Sequence, residues 1–188
     1  MSPKEKNESA RLQKGSLRTA QIGFLFLAIY FLTTLIFGAW QLLTPDMLQK
    51  RWIITLVALS INTTLWYFSR KPRLVPLYYR GIIFLQMCMY LAIATFSIYT
   101  ERGMASNAVI LYAIPLTIAA LSYSAQALFA SATICAISYA SATILYFKQF
   151  PSEGYKVELY GSIVFYIGIL YLLSTLLWII VRARNART

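Results

Sequence analysis

An all-α membrane protein, a bundle of six transmembrane helices with both termini cytoplasmic, is the fold class this sequence predicts, and three observations predict it. Of its 188 residues, 59% are hydrophobic and only 12% charged, far above the apolar content of a soluble domain. From Ala108 to Phe147 the chain runs forty residues without a charge, about twice the ~20 that one span needs. At its midpoint, Ser122-Tyr123-Ser124-Ala125-Gln126 is the one place polar enough to turn, so the stretch reads as a membrane hairpin. The third observation is that Lys and Arg sit in short connecting segments and are unevenly shared between the two sides.

Residues 1–18, MSPKEKNESARLQKGSLR, are polar, basic and without apolar periodicity, and read as a cytoplasmic tail. No short apolar core with a small-residue cleavage site follows, so the first helix is expected to persist in the mature protein. That helix is predicted over 20–43, stopped by Thr44-Pro45-Asp46. Gln49-Lys50-Arg51 connects it to a second run, 52–68, close to the shortest length that crosses. In the basic connector SRKPRLVPLYYR, Pro72 and Pro76 break any continuing helix before the third span, 81–100. The charge-free stretch supplies the fourth and fifth, 105–122 and 125–147. After KQFPSEGYKVE the sixth runs over 159–181, completing a membrane domain of 19–181, and 182–188 form a second cytoplasmic tail or the start of a signalling helix.

Positive residues are retained on the cytoplasmic side. With the N-terminus inside, the inside segments hold twelve of the 17 Lys and Arg residues: Lys4, Lys6, Arg11, Lys14, Arg18, Arg70, Lys71, Arg73, Arg80, Arg182, Arg184 and Arg187. The outside segments hold the other five. Trp40 and Trp52 then mark the outer interface, and Trp66 and Trp178 the inner one.

No Asp, Glu, Lys, Arg or His falls within the six predicted spans, which argues against a pump or a proton-coupled carrier. The chain has no His, so a Ser-His-Asp triad and a histidine-bearing metal site are excluded, and no GxxxxGK[ST] loop occurs. No catalytic constellation, cofactor or metal site is expected. The net charge of +11 does not form the concentrated basic face that nucleic acid requires, so its expected partner is the anionic surface of the lipid bilayer. Cys88 and Cys135 both lie in apolar runs and read as packing residues.

The polar groups at depth are uncharged: Asn62, Thr63, Thr64, Gln86, Gln126 and tyrosines 30, 90, 112, 139 and 166. On one reading they hydrogen-bond between helices and fix the bundle. On another they line a cavity for a small neutral or lipophilic ligand, with Tyr99, Gly103, Asn107 and Tyr112 near the outer turn and Asn62, Gln86 and Tyr90 deeper. Pro115 removes a backbone hydrogen bond within the fourth helix and is a candidate hinge. The four-residue spacing of Ala132, Ala136 and Ala140 suits close helix packing. Gly161, Gly168 and Thr175 repeat every seven residues, a face offered to a neighbour: the fourth and fifth helices or, in a homodimer, a second sixth helix.

The basic proline-bearing loop RKPRLVPLYYR, the turn IYTERGMASN, the proline-containing VILYAIPLTIAALSYSA and the Ala-rich fifth helix together resemble the six-helix membrane input region of bacterial sensor histidine kinases. Where that family often carries paired glycines and Ser-Pro in the outer turn, this chain carries Arg102-Gly103 and Ser106-Asn107. The resemblance implies a sensor in the bacterial inner membrane, part of a two-component system. Ligand binding near the outer turn would alter the kink at Pro115, and the sixth helix would carry the change to an output domain after Thr188. Two further readings stay open: the substrate-binding membrane subunit of a vitamin-type importer, and a membrane scaffold without a ligand.

Overall fold

The computed structural model describes residues 3–71, 75–100, 107–121, 124–149 and 156–185. These form six α-helices: α1 (Pro3–Ala39), α2 (Pro45–Ser69), α3 (Pro76–Thr100), α4 (Ala113–Ala120), α5 (Ala125–Gln149) and α6 (Lys156–Asn185). A 3₁₀ segment, Asn107–Tyr112, leads directly into α4. Five helical stretches are long and apolar enough to cross a bilayer, namely Asn7–Ala39, Pro45–Ser69, Pro76–Thr100, Ala125–Gln149 and Tyr160–Ala183, which marks a membrane protein. The 3₁₀ segment and α4 together reach only roughly 24 Å, short of the ~30 Å hydrocarbon layer. The helices divide into two compact units, Met1–Gln86 and Met87–Thr188, with the boundary inside α3.

In the first unit α1 and α2 pack as an antiparallel pair. The buried residues of α2 are Arg51, Thr55, Ala58, Asn62, Leu65 and Ser69, spaced alternately by four and three, the repeat that keeps one helix face against another. Opposite them α1 buries Leu12, Ser16, Thr19, Ala20, Leu27, Tyr30 and Thr34. The seam is made mostly of small and polar side chains, which let helix backbones approach closely in lipid. Asn62 Nδ2 donates to the Ala20 carbonyl at 3.0 Å, and Gln86 Nε2, from α3, donates to the Ser16 carbonyl one turn away at 3.3 Å.

Three expectations are corrected in this unit. Residues 3–18, read as a tail without apolar periodicity, are helical: α1 starts at Pro3 and is continuous with the first span. Its polar side chains have partners that a hydropathy pattern does not register. Gln13 Nε2 donates to the carbonyls of Ser69 and Lys71, at 3.2 and 3.3 Å, and so caps the end of α2. Arg80 donates to Glu8 at 2.6 Å. The second correction is the end of α1, which comes at Ala39 because Gln41 takes a left-handed conformation (φ 51°) and the Leu42 amide returns to the Phe37 carbonyl at 3.0 Å. The third concerns Arg51, assigned to a connecting loop. Thr44 caps α2, its hydroxyl accepting from the Met47 amide at 3.4 Å, and Pro45 takes the first helical position. Starting there, α2 carries Arg51 nearly two turns into the helix, where it is 2% exposed.

The second unit is built around α5, which packs against both α4 and α6. Its core joins Ala132, Cys135, Ala136, Tyr139 and Ala142 of α5 to Ala94 and Ile98 of α3, Leu116 of α4, and Ile163 and Leu170 of α6, with Ala140 packed against the cluster. The stripe Gly161, Gly168 and Thr175 does not meet the fourth and fifth helices. All three are exposed, and a Cβ built on either glycine finds nothing within 4 Å. The larger side chains Ile163, Tyr166 and Leu170 form the packing face on the opposite side of α6, where Ser174 is also buried, because they fill more of the space against α5 than the glycines can.

Candidate functional site

Between the 3₁₀ segment and α6, within the second unit, lies a groove of about 430 Å³, in the size range of small-molecule sites. One wall is Asn107, Val109, Ile110 and Ala113; the other is Tyr166, Ile169, Leu170 and Leu173. The α6 wall follows from helical spacing, since 166, 169, 170 and 173 fall on one face. The other wall depends on Pro115. Its missing amide hydrogen and its ring disfavour an α-turn onto residue 111, and the chain is wound as 3₁₀ up to Tyr112 before α-helix begins at Ala113. Ile110 is 72% exposed and Ile169 42%, so the groove opens sideways, on a surface compatible with lipid contact. Its lining is apolar apart from the Asn107 amide and the Tyr166 hydroxyl, a composition suited to a lipophilic molecule with one hydrogen-bonding group.

From the groove wall inward, three tyrosines form an aromatic ladder across three elements. Tyr112 and Tyr139 meet edge to face with centroids 6.1 Å apart, and Tyr139 and Tyr166 do so at 5.6 Å. The ladder is tied to α3 by the Tyr112 hydroxyl, 3.0 Å from Thr95 Oγ1. Since Thr95 already donates to the Leu91 carbonyl at 2.8 Å, Tyr112 is the donor of that pair. A second tyrosine bond, Tyr171 to Thr133 at 2.8 Å, joins α6 to α5, and Tyr99 in α3 donates to Gln149 Oε1 at the end of α5.

The predicted ligand set is thus distributed over different roles. Asn107 lines the groove; Tyr112 stands behind it in the ladder, fully buried; Tyr99 is engaged with Gln149. Tyr90 is buried in α3. Asn62 and Gln86 belong to the other unit, where their amides bind α1 carbonyls, and Gly103 lies outside the described residues. Sequence reasoning placed Tyr166 at depth but not at a groove. The signal was its one-face spacing with Ile169, Leu170 and Leu173, overshadowed by the glycine stripe on the far side of the same helix. Among the described residues no cluster of His, Cys, Asp and Glu is arranged to hold a metal.

Arg51 is the other side chain the sequence did not single out. Its guanidinium lies between two aromatic rings of α1, 4.8 Å from the centre of Tyr30 and 4.8 Å from that of Phe37.

No family model matches this sequence, and no curated protein or solved structure matches it either.

Proposed function

We propose that this chain is a membrane-embedded input domain with both termini cytoplasmic, the shorter 3₁₀–α4 element serving as the fourth of six crossings. It takes a small neutral or lipophilic ligand in the groove beside the 3₁₀ segment and passes the event through α6 to a cytoplasmic output domain such as a histidine kinase. One observation carries the reading: the groove's two walls are the 3₁₀ segment just ahead of Pro115 and the helix that runs on to Asn185. A ligand seated there touches both an irregular, proline-limited segment and the helix leading out of the domain. It shifts their equilibrium by as much as it prefers one arrangement, and ~1 to 3 kcal/mol suffices for a graded response.

The test is to fuse a kinase output domain after Thr188 and compare the parent with Ile169→Trp, which fills the groove from its open side, and with Pro115→Ala. Both variants are expected to shift basal kinase output and to blunt its response to added lipophilic compounds. If both signal like the parent across stimuli, the scaffold reading stands instead. Saturable ligand binding lost in Ile169→Trp, with output unchanged throughout, would point to the importer subunit.

A further inference from the structure

One face of α1 changes character along its length without changing direction. At about 100° per residue, positions 11, 14, 18, 22, 25, 29, 32 and 36 fall within a sector of about 80°. All eight are exposed, and none belongs to the face packed on α2. The upper part is aliphatic: Ile22 is 66% exposed, Leu25 64%, Ile29 54%, with Leu32 and Ile36 continuing the row. The lower part is Arg18, Lys14 and Arg11, and among the described residues this sector carries no acid.

The point where apolar gives way to basic coincides with a membrane interface defined by other residues. Asn62 against Ala20 and Gln13 against Ser69 fix the register of α1 on α2, which sets Trp66 about level with Ser16. Arg70 lies over the Trp66 ring, 3.6 Å from its centre, and Phe24 meets that ring edge-on at 5.9 Å. A tryptophan with an apolar body held by Phe24 and a cation on its outer face is an interfacial arrangement. Arg18 and Lys14 flank Ser16 in α1, at the same level.

We infer that this stripe of α1 is a binding site for an anionic glycerophospholipid. The phosphate sits among Arg18, Lys14 and Arg11, and an acyl chain lies along Ile22, Leu25 and Ile29. The dimensions agree: half of the hydrocarbon layer is ~15 Å, about the rise from Arg18 to Ile29, and the three cations occupy the next ~10 Å, where headgroups lie. A soluble polyanion would match the cations but not the aliphatic row that continues them on the same face. The inference rests on membrane location alone and is independent of the groove and of any signalling role.

Native mass spectrometry of the full chain, extracted from vesicles of phosphatidylcholine and phosphatidylglycerol in equal parts, tests it by the ratio of the two lipids retained. The parent is expected to retain phosphatidylglycerol preferentially. Lys14→Gln with Arg18→Gln should lower that ratio about tenfold or more, since each interfacial cation favours an anionic surface about fivefold. The charge-conserving pair Lys14→Arg with Arg18→Lys should keep the preference, and so should Lys148→Gln with Arg182→Gln, which removes the same charge elsewhere. No preference in the parent, or an equal fall in the two neutralised pairs, overturns the site in favour of diffuse charge. Loss of the preference in excess inorganic phosphate overturns the lipid in favour of a phosphate site.

Discussion

The Arg51 guanidinium and the Tyr30 ring stand 4.8 Å apart, and with Phe37 on another side of the guanidinium they hold a cation that is 2% exposed inside a membrane protein. A charge so far from bulk water needs electron-rich surroundings, and the two ring faces supply part of them. Phe37→Leu removes one face at similar apolar volume and is expected to lower stability by about 1 to 2 kcal/mol. Thermal melting in detergent, run as a cycle with Arg51→Met, checks this: strictly additive effects would show that the stack contributes nothing.

Gln41 holds a left-handed backbone conformation at the end of α1, where glycine is favoured. Gln41→Gly should raise stability by about 0.5 to 1 kcal/mol, the relieved backbone strain outweighing the added freedom of the unfolded chain. A lower melting temperature would mean that the Gln41 side chain makes a contribution larger than the strain.

Two substitutions by leucine on neighbouring helices should have opposite outcomes. Ala136 is 6% exposed in the core of the second unit, so Ala136→Leu forces overpacking and should cost on the order of 1 to 3 kcal/mol. Gly168 faces open space, so Gly168→Leu gains helix propensity and should be neutral or stabilising by up to about 1 kcal/mol. Detergent melts of both variants give the comparison. A strongly destabilised Gly168→Leu whose melting depends on protein concentration would instead reveal the second copy expected to pair through this stripe.

Tyr112 donates to Thr95, and both are inside the same unit. Tyr112→Phe and Thr95→Ala should each cost about 1 kcal/mol or less, as hydrogen bonds between membrane helices do. The double variant should cost little more than one single variant, and full additivity in chemical denaturation would remove the bond from the account.

The helices were legible because each apolar run is bounded by residues with local effects, as Thr44 and Pro45 show at the start of α2. Arg51 was not, because its environment is supplied by residues 14 and 21 positions earlier, and a charge next to a polar connector reads locally as part of it. The helical state of residues 3–18 was hidden for a related reason. Their periodicity is real, with Leu12, Ser16 and Thr19 buried and Arg11, Lys14 and Arg18 exposed, but it separates small hydroxyls from cations rather than apolar from polar. At the groove, Asn107 was singled out in sequence and Pro115 flagged as a hinge. The 3₁₀ winding between them follows from the proline only once the packing of Tyr112 and Leu116 in the core is known.

The six residues Asn107–Tyr112 are also a store of length and twist. A 3₁₀ helix rises about 2.0 Å per residue at about 120°, an α-helix about 1.5 Å at about 100°. Rewinding this segment as α-helix, with Tyr112 held by the aromatic ladder, would draw Asn107 inward by about 2.5 Å and turn it by about 100° about the helix axis. The wall of the groove would thereby exchange the side chains it shows to α6. A stroke of that size needs no movement of α4, because the rigid part of the element begins where the segment ends.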